Sequence, residues 1–342
     1  MENKRSEVHI MQTFENFDLK KELEVRNRKV FGMIPIARKP DNSWISIPIV
    51  MAIGREEGPV ILAEACAHGD ESEGSEGIIK TFQRLETEKM AGVFVGVPAL
   101  NLGAFAQMRR YCDYDFVPVD LNRSFPGNPK GSITLAVGDY YTENILKKVD
   151  AVISMHGGGN YLYLEPVTLY QNYGDKISER SKAMAKAMGF DALWQNNVCV
   201  PENGILDEIA YSYGIPAITA EIGGQSTRIA DRRKENIEKT SDGMLNVLRL
   251  WGVINGDVLT FDSQYHVEME YLFIDHGGIC TPQKLGGERA KKGETLAIIT
   301  NIFGEEVDRL IAPFDGIVIG YWAYTVCQPK SWVYMLGREV EA

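Results

Sequence analysis

Apolar runs alternate with stretches of helical spacing along the chain from about residue 40. Residues 59–67 (PVILAEACA) and 92–100 (GVFVGVPAL) are nearly continuous apolar runs, which is typical of strands buried on both faces of a sheet. The segment between them, 72–90, predicts a helix whose apolar side chains share one side: Ile78, Ile79, Phe82 and Leu85.

The same alternation continues to about residue 252. Strand-like runs occur at 150–155 (DAVISM) and 216–223 (PAITAEIG). Helical spacing occurs in three further segments: 178–190, 207–214 and 236–252. Strands that alternate with helices predict an α/β fold with a mostly parallel or mixed central sheet flanked by helices, and ligands bind beyond the carboxyl ends of strands in such sheets.

The pattern changes after Gly252 to short alternating runs separated by glycines, which predicts a smaller all-β domain. We therefore predict two domains, an α/β catalytic domain over 1–255 and a β-rich domain over 256–342. The first 40 residues are interpreted as an N-terminal extension of the catalytic domain. A length of 342 residues is consistent with two domains.

Charge and composition exclude several classes of partner. The chain has 36 basic and 47 acidic residues and a net charge of −11, so a nucleic acid or an anionic membrane surface would be repelled on average. The N-terminus lacks the apolar core of a signal peptide, and no run of about 18 apolar residues occurs. The five scattered cysteines indicate reduced, structural thiols. These features predict a cytoplasmic protein.

Metal-binding side chains occur where predicted strands end. His68 and Glu71 follow the run at 59–67, three residues apart, and His156 follows the run at 150–155 and precedes three glycines. Two imidazoles and a carboxylate are the donor set of many catalytic zinc sites, which keep a fourth position open for water. Glycines at such a site allow the backbone to approach a metal or substrate closely.

A carboxylate lies in the corresponding position of a third strand. Glu221 ends the run at 216–223, again before glycines. If the three strands are neighbours, a zinc ion held by His68, Glu71 and His156 would face Glu221 across a cleft. Metal-bound water loses its proton near neutral pH, and a nearby carboxylate can accept that proton and pass it to a leaving nitrogen. This layout predicts a hydrolase.

The segment 109–123 adds polar groups that a hydrophobic core would not accommodate: Arg109, Arg110, Asn122 and Arg123. Guanidinium groups bind carboxylates through two parallel hydrogen bonds. The segment therefore indicates either a solvated loop or a site for an acidic substrate.

Four motifs in this order resemble the succinylglutamate desuccinylase/aspartoacylase family of the zinc carboxypeptidase superfamily. They are HGDE at 68–71, DLNRSFPG at 120–127, the strand that ends in His156, and TAEIGG at 219–224. The resemblance implies one zinc ion per chain, held by His68, Glu71 and His156. It also implies that Glu221 is the general base and acid.

Further roles follow only from this resemblance. Asn122 and Arg123 would hold a substrate carboxylate, and Asp120 would orient a ligand imidazole from behind. An arginine upstream of the DLNR motif would polarise the scissile carbonyl, and Arg110 is our choice over Arg109 because it belongs to a family-like Arg-Tyr pair.

The favoured hypothesis is a zinc-dependent amidohydrolase that removes an acyl group from a small N-acyl amino acid or a related carboxylate-bearing amide. The β-rich domain would wall the active site, and the substrate would be small and acidic. One alternative is a metallocarboxypeptidase that acts on peptides or cell-wall fragments, and another is a non-catalytic relative that binds a metabolite. Because relatives often pair, the resemblance also implies a homo-oligomer.

Overall fold

The computed structural model describes residues 11–197, 204–224 and 230–341. Its strands are β1 (Gln12–Thr13), β2 (Arg28–Arg38), β3 (Trp44–Ile53), β4 (Glu56–Ala65), β5 (Ala91–Val97), β6 (Ala151–His156), β7 (Leu162–Gln171), β8 (Ala192–Asn196), β9 (Ala217–Gly224), β10 (Tyr265–Phe273), β11 (Gly278–Pro282), β12 (Arg289–Ala290), β13 (Thr295–Thr300), β14 (Glu306–Ile311), β15 (Gly316–Trp322), β16 (Val326–Cys327) and β17 (Trp332–Val340). Its α-helices are α1 (Leu19–Glu22), α2 (Glu73–Arg84), α3 (Leu102–Gln107), α4 (Ile133–Asn144), α5 (Lys176–Met188), α6 (Leu206–Ser212) and α7 (Ala230–Leu250). Three short 3-10 turns lie at Thr87–Lys89, Leu121–Arg123 and Leu146–Lys148.

A large mixed sheet organises the described part of the chain, in the order β1-β2-β3-β5-β4-β6-β9-β7-β8-β10-β17-β15-β12. The four strands β5, β4, β6 and β9 are parallel neighbours. Their apolar runs need no alternation because both faces of this part of the sheet are covered. Because β4, β6 and β9 are parallel neighbours, their carboxyl ends meet at one edge of the sheet.

Two apolar layers sandwich the central strands. One layer joins the sheet to α2, α5 and α7 through residues such as Ile78, Met184 and Met244. The other joins the opposite face to α4 and α6 through Val137 and Ile209. The prediction of a mixed α/β fold with helices on both faces and additional C-terminal strands is confirmed.

Helix α2 is shorter than its sequence pattern indicates. It ends at Arg84, and Leu85 adopts an extended backbone with ψ of 139° and turns back into the core, where it is 4% exposed. Ile79, expected on the buried side, is 39% exposed. The prediction of a helix up to residue 90 was therefore wrong, because burial of Leu85 favours the end of the helix over its continuation.

Strands from both predicted peripheral segments join the large sheet. Strand β2, which lies in the N-terminal extension, pairs antiparallel with β3, which lies outside it. In the C-terminal segment, β10, β15 and β17 form a closed ring of five strands together with β7 and β8. Strands β14, β13, β11 and β16 form a separate four-stranded sheet. The boundary at residue 255 remains a prediction, although the hydrogen-bonded ladders cross it.

Four cysteines are buried and free: Cys66, Cys112, Cys280 and Cys327. Cys199 lies outside the described residues. Among the described helices, none combines the length and the apolar character that a membrane span requires.

Candidate active site

The predicted site residues converge because three parallel strands end side by side. In the ladder between β6 and β9, His156 is the register partner of Glu221. The paired residues of neighbouring strands point to the same face, so these two side chains start from adjacent positions at one edge. His68 and Glu71 reach the same edge from the loop after β4.

The loop after β4 turns back because of two local features. Cys66 has a left-handed backbone with φ of 55°, and the Glu71 N–H donates to the His68 carbonyl at 3.2 Å, which closes a tight turn. Gly69 packs on helix α3 so closely that a Cβ atom would lie 2.0 Å from the Ala104 carbonyl carbon. Only glycine allows this contact, which brings the His68 and Glu71 side chains onto the sheet edge.

His68, Glu71 and His156 form a buried cluster. Nδ1 of His68 lies 2.9 Å from Oε1 of Glu71, and Nδ1 of His156 lies 2.8 Å from Oε2 of the same carboxylate. One donor atom from each residue falls within 4.8 Å of the others, and each residue is at most 6% exposed. Two imidazole nitrogens and a carboxylate oxygen at this spacing fit a divalent metal ion such as zinc.

Asp120 holds the cluster from behind. Its Oδ1 lies 2.9 Å from Nε2 of His68 and accepts from the Asn122 N–H at 3.0 Å, while its Oδ2 accepts from the Arg110 guanidinium at 3.0 Å. A carboxylate on Nε2 leaves Nδ1 of His68 directed at Glu71. This arrangement fixes the orientation of the ring.

Asn122 connects the cluster to helix α6. Its Nδ2 lies 3.2 Å from Nε2 of His156, and its Oδ1 accepts from the Leu206 N–H at 3.0 Å. The next side chain, Arg123, donates to the Asn122 carbonyl at 2.6 Å. The 3-10 turn therefore sets the position of both groups at the site.

A cavity of about 690 Å³ lies over the cluster. Seven predicted site residues line it: His68, Glu71, Arg110, Asn122, Arg123, His156 and Glu221. Arg109 is not among the lining residues in the described part of the chain. The structure thus brings Arg110, and not its neighbour, to the cavity.

The glycines after His156 also line the cavity, but their neighbours are mainly protein backbone. A Cβ atom on Gly157 would lie 2.5 Å from the Ile222 carbonyl oxygen, and one on Gly158 would lie 2.2 Å from the Leu162 carbonyl oxygen. We expected these glycines to let the backbone approach a ligand closely. That expectation is incomplete, because close packing of the loop on β7 and β9 already requires glycine at these positions.

Sequence reasoning missed several residues near the cluster. Glu64 is fully buried behind the sheet edge and accepts a hydrogen bond from the Ser154 hydroxyl. Tyr271 and Trp332 from the C-terminal strands and Asp207 from α6 line the cavity. A buried acid inside an apolar run was a visible signal for Glu64, whereas the others become neighbours only through the strand ring and the placement of α6.

Electrostatics distinguish the carboxylates of the site. Burial raises the pKa of Glu71, but the two imidazoles outweigh burial and bring that pKa well below its ordinary value. Asp120 behaves similarly, because the His68 hydrogen bond and charge and the Arg110 charge outweigh its burial. Burial raises the pKa of Glu221 to about 7, because burial and the Glu71 charge together outweigh the opposing charge of His156. Glu71 is therefore held ionised, and Glu221 can exchange a proton near neutral pH.

The metal-free protein should lose stability as the pH rises from about 7 to 9. Burial lowers the pKa of His156, but Glu71 outweighs it and raises that pKa from 6.5 to about 9. A raised pKa stabilises the fold fully below the unfolded value, and this contribution is lost as the pH rises through the folded value. The raised pKa of Glu221 also makes stability fall as the pH rises, but this fall occurs between the ordinary value of 4.5 and about pH 7.

This expectation is tested by thermal unfolding in excess chelator. Tm should fall between about pH 7 and 9, and the fall should be smaller in His156→Ala but unchanged in His276→Ala, whose side chain is 68% exposed. Added zinc should reverse the slope, since metal binding displaces protons from imidazoles. A Tm of the chelated protein that rises with pH over this window would contradict the assignment of the shifted pKa.

The fold and the cluster define the class of this protein: an α/β protein whose parallel strands end at a buried His-Glu-His group that could hold a metal ion. Residues 57–251 match the catalytic domain of the succinylglutamate desuccinylase/aspartoacylase proteins. This match covers more than half of the chain. The chain belongs to the succinylglutamate desuccinylase/aspartoacylase family, which confirms the resemblance found in the four motifs.

Individual relatives support the same assignment. The chain is 28% identical over 274 residues to the N-alpha-acetyl-L-2,4-diaminobutyric acid deacetylase of Halomonas elongata, and the alignment covers 78% of each protein. Its structure is similar to that of the ectoine utilization protein EutE (DoeB) from Ruegeria pomeroyi in a product-bound state, with a TM-score of 0.81, 25% identity and coverage of 92% of this chain and 96% of that chain. A succinylglutamate desuccinylase from Silicibacter sp. TM1040 shares the fold, with a TM-score of 0.83, 24% identity and coverage of 93% and 97%.

Proposed function

We propose that this protein is a zinc-dependent deacylase that hydrolyses the amide bond of a small N-acyl amino acid, on a zinc carboxypeptidase-like fold. The observation that carries the proposal is the convergence of two imidazole nitrogens and a carboxylate oxygen within 4.8 Å, next to Glu221 and below a cavity that contains arginines. The deacetylase from Halomonas elongata supports the reaction class.

His68, Glu71 and His156 would hold the zinc ion. When bound, zinc polarises a carbonyl oxygen and lowers the pKa of a coordinated water. Asp120 fixes the His68 ring through Nε2, at 2.9 Å, so that Nδ1 stays available at the cluster. Because Glu71 is already ionised, it adds one negative charge to the donor set without a proton to remove.

Glu221 would move the proton of the reaction. It accepts a proton from the attacking water as the bond between that oxygen and the carbonyl carbon forms, and it returns the proton to the amide nitrogen as the C–N bond breaks. The products are a carboxylic acid and an amine. In the metal-free protein burial raises the pKa of this carboxyl group to about 7, so the environment of Glu221 favours the protonated form that must deliver the proton to the leaving nitrogen.

The two arginines at the cavity would divide the recognition of the substrate. Arg110 ion-pairs with Asp120 at 3.0 Å and reaches Glu71 at 3.4 Å, so it stands next to the cluster and can stabilise negative charge on the carbonyl oxygen. Arg123 and Asn122 would bind the substrate carboxylate, for which a guanidinium offers two parallel donors.

The C-terminal segment would limit the size of the substrate. Phe273, Trp322 and Trp332, all after residue 256, contribute to the cavity wall. We retain the division into a catalytic domain over 1–255 and a β-rich domain over 256–342 as part of the proposal. A walled cavity of about 690 Å³ favours small amides over long peptides.

A hydrolysis screen with metal analysis tests this function. We expect about one zinc per chain, release of free amine from N-acetyl or N-succinyl amino acids, and a loss of about 100-fold or more in chelator that added zinc restores. Undiminished turnover after complete removal of metal would reject zinc dependence. Release of C-terminal residues from a long peptide without N-acyl turnover would support a carboxypeptidase, and tight binding without turnover would support a metabolite-binding protein.

A further inference from the structure

One wall of the cavity carries a buried carboxylate that the proposed reaction does not use. Asp207 lies in the first turn of α6, lines the cavity and is 1% exposed. Gln171 donates from Nε2 to its Oδ2 at 2.9 Å, and the Tyr173 hydroxyl donates to Oε1 of Gln171 at 3.0 Å. This chain of hydrogen bonds holds the carboxylate in one orientation towards the cavity.

The partners of Asp207 are neutral. Among the described residues, no lysine or arginine forms an ion pair with Asp207. Burial raises the pKa of Asp207, and the hydrogen bond from Gln171 and the charge of the more distant His156 offset this effect of burial only in part. A buried carboxylate is costly unless a cation approaches it. A first-turn carboxylate interacts favourably with the helix dipole, but that interaction is available at a solvent-exposed position and does not require burial beside a cavity.

Aromatic side chains line the same cavity. The Tyr271 ring lies between two tryptophans, with ring centroids 6.1 Å from Trp194 and 5.1 Å from Trp332. All three residues contribute to the cavity wall. Aromatic faces attract ammonium groups through their quadrupoles, so they favour the same kind of ligand as a buried carboxylate does.

We propose that the substrate carries a protonated amine in addition to its carboxylate, and that Asp207 binds this amine. The substrate class is then an N-acyl diamino acid, with the carboxylate on Arg123 and the free ammonium group on Asp207. This inference rests on the proposed deacylase function and specifies its substrate. The relative from Halomonas elongata supports it, since that deacetylase is named for an acetylated diamino acid.

A pair of nearly isosteric substrates isolates the amine. The side chain of Nα-acetyl-2,4-diaminobutyrate ends in an ammonium group, whereas that of N-acetylnorvaline ends in a methyl group at the same position. We expect kcat/KM to be about 10- to 100-fold higher for the diamino substrate, which is the range of one hydrogen bond to a charged group. N-acetylaspartate, with a second carboxylate, should be the poorest of the three.

Asp207→Asn keeps the shape of the side chain and removes its charge. It should reduce the preference for the diamino substrate over N-acetylnorvaline by about 10- to 100-fold. The matched control Asp262→Asn, an exposed carboxylate outside the cavity, should leave that preference unchanged. A test that does not depend on folding of a variant is product inhibition of the wild type, in which 2,4-diaminobutyrate should bind about 10- to 100-fold more tightly than norvaline.

The outcomes separate this inference from the proposed function. Hydrolysis of all three substrates without preference, a preference for N-acetylaspartate, or an unchanged preference in Asp207→Asn would overturn the amine site and leave the deacylase intact. No turnover of any N-acyl amino acid by the zinc-loaded enzyme would reject the deacylase function itself.

Discussion

Glu221→Gln should reduce hydrolysis of N-acyl amino acids by about 1,000-fold and leave the zinc content near one per chain. The amide has almost the same shape as the carboxyl group but cannot accept a proton from water or return it to the leaving nitrogen. General acid and base catalysis contributes about 100- to 10,000-fold in enzymes. Glu221 is outside the His-Glu-His group, so its replacement removes no donor atom from that group.

Metal analysis and initial rates on the same preparation test this prediction. The matched control is Glu268→Gln, an exposed position on β10, which should keep both the zinc and the activity. We also expect the rate of the wild type to depend on the ionisation of Glu221, and the variant to lose that limb of the pH–rate profile because the titrating group is gone. Full activity of Glu221→Gln would remove this residue from the mechanism.

His156→Ala should remove both the metal and the activity. The change deletes one of the three donor groups and leaves Glu71 with His68 as its remaining imidazole partner. Loss of the metal costs several kcal/mol of barrier lowering, so we expect a decrease in turnover on the order of 1,000-fold. Zinc affinity should fall together with the rate.

Titration with zinc in a competing chelator measures this loss. His276→Ala is the control, since that imidazole is 68% exposed and does not line the cavity, and this variant should bind zinc with unchanged affinity. Thermal unfolding in chelator checks that the His156 variant is folded. If folded His156→Ala binds zinc as tightly as the wild type and remains active, the cluster is not the metal site.

Much of the fold was predictable because the buried strands are continuous apolar runs. The runs at 59–67 and 216–223 appear in the structure as β4 and β9, at the centre of the sheet. Helical spacing likewise predicted α5 and α7. Exact ends were not predictable, as Leu85 shows, because the end of α2 depends on which apolar side chain the core can accept.

The candidate site was predictable where chemistry and strand ends coincide. His156 and Glu221 each end an apolar run, and the parallel ladder makes them register partners. Glu64 and Asp207 were not predicted as site residues. An acid within an apolar run was a visible signal for Glu64, whereas Asp207 has the pattern of an ordinary acid in the first turn of a helix. Only the placement of β4 and α6 brings them next to the cluster and the cavity.

The sequence by itself determined the α/β pattern, the family and the candidate metal-binding residues, since each of these depends on residue types at short spacing or on motifs in a fixed order. The tertiary structure decided which arginine faces the cluster, how the C-terminal strands close a ring with β7 and β8, and which carboxylate is buried in the wall of the cavity. These features arise from contacts between segments far apart in the chain. Packing selects such contacts, and no local pattern encodes them.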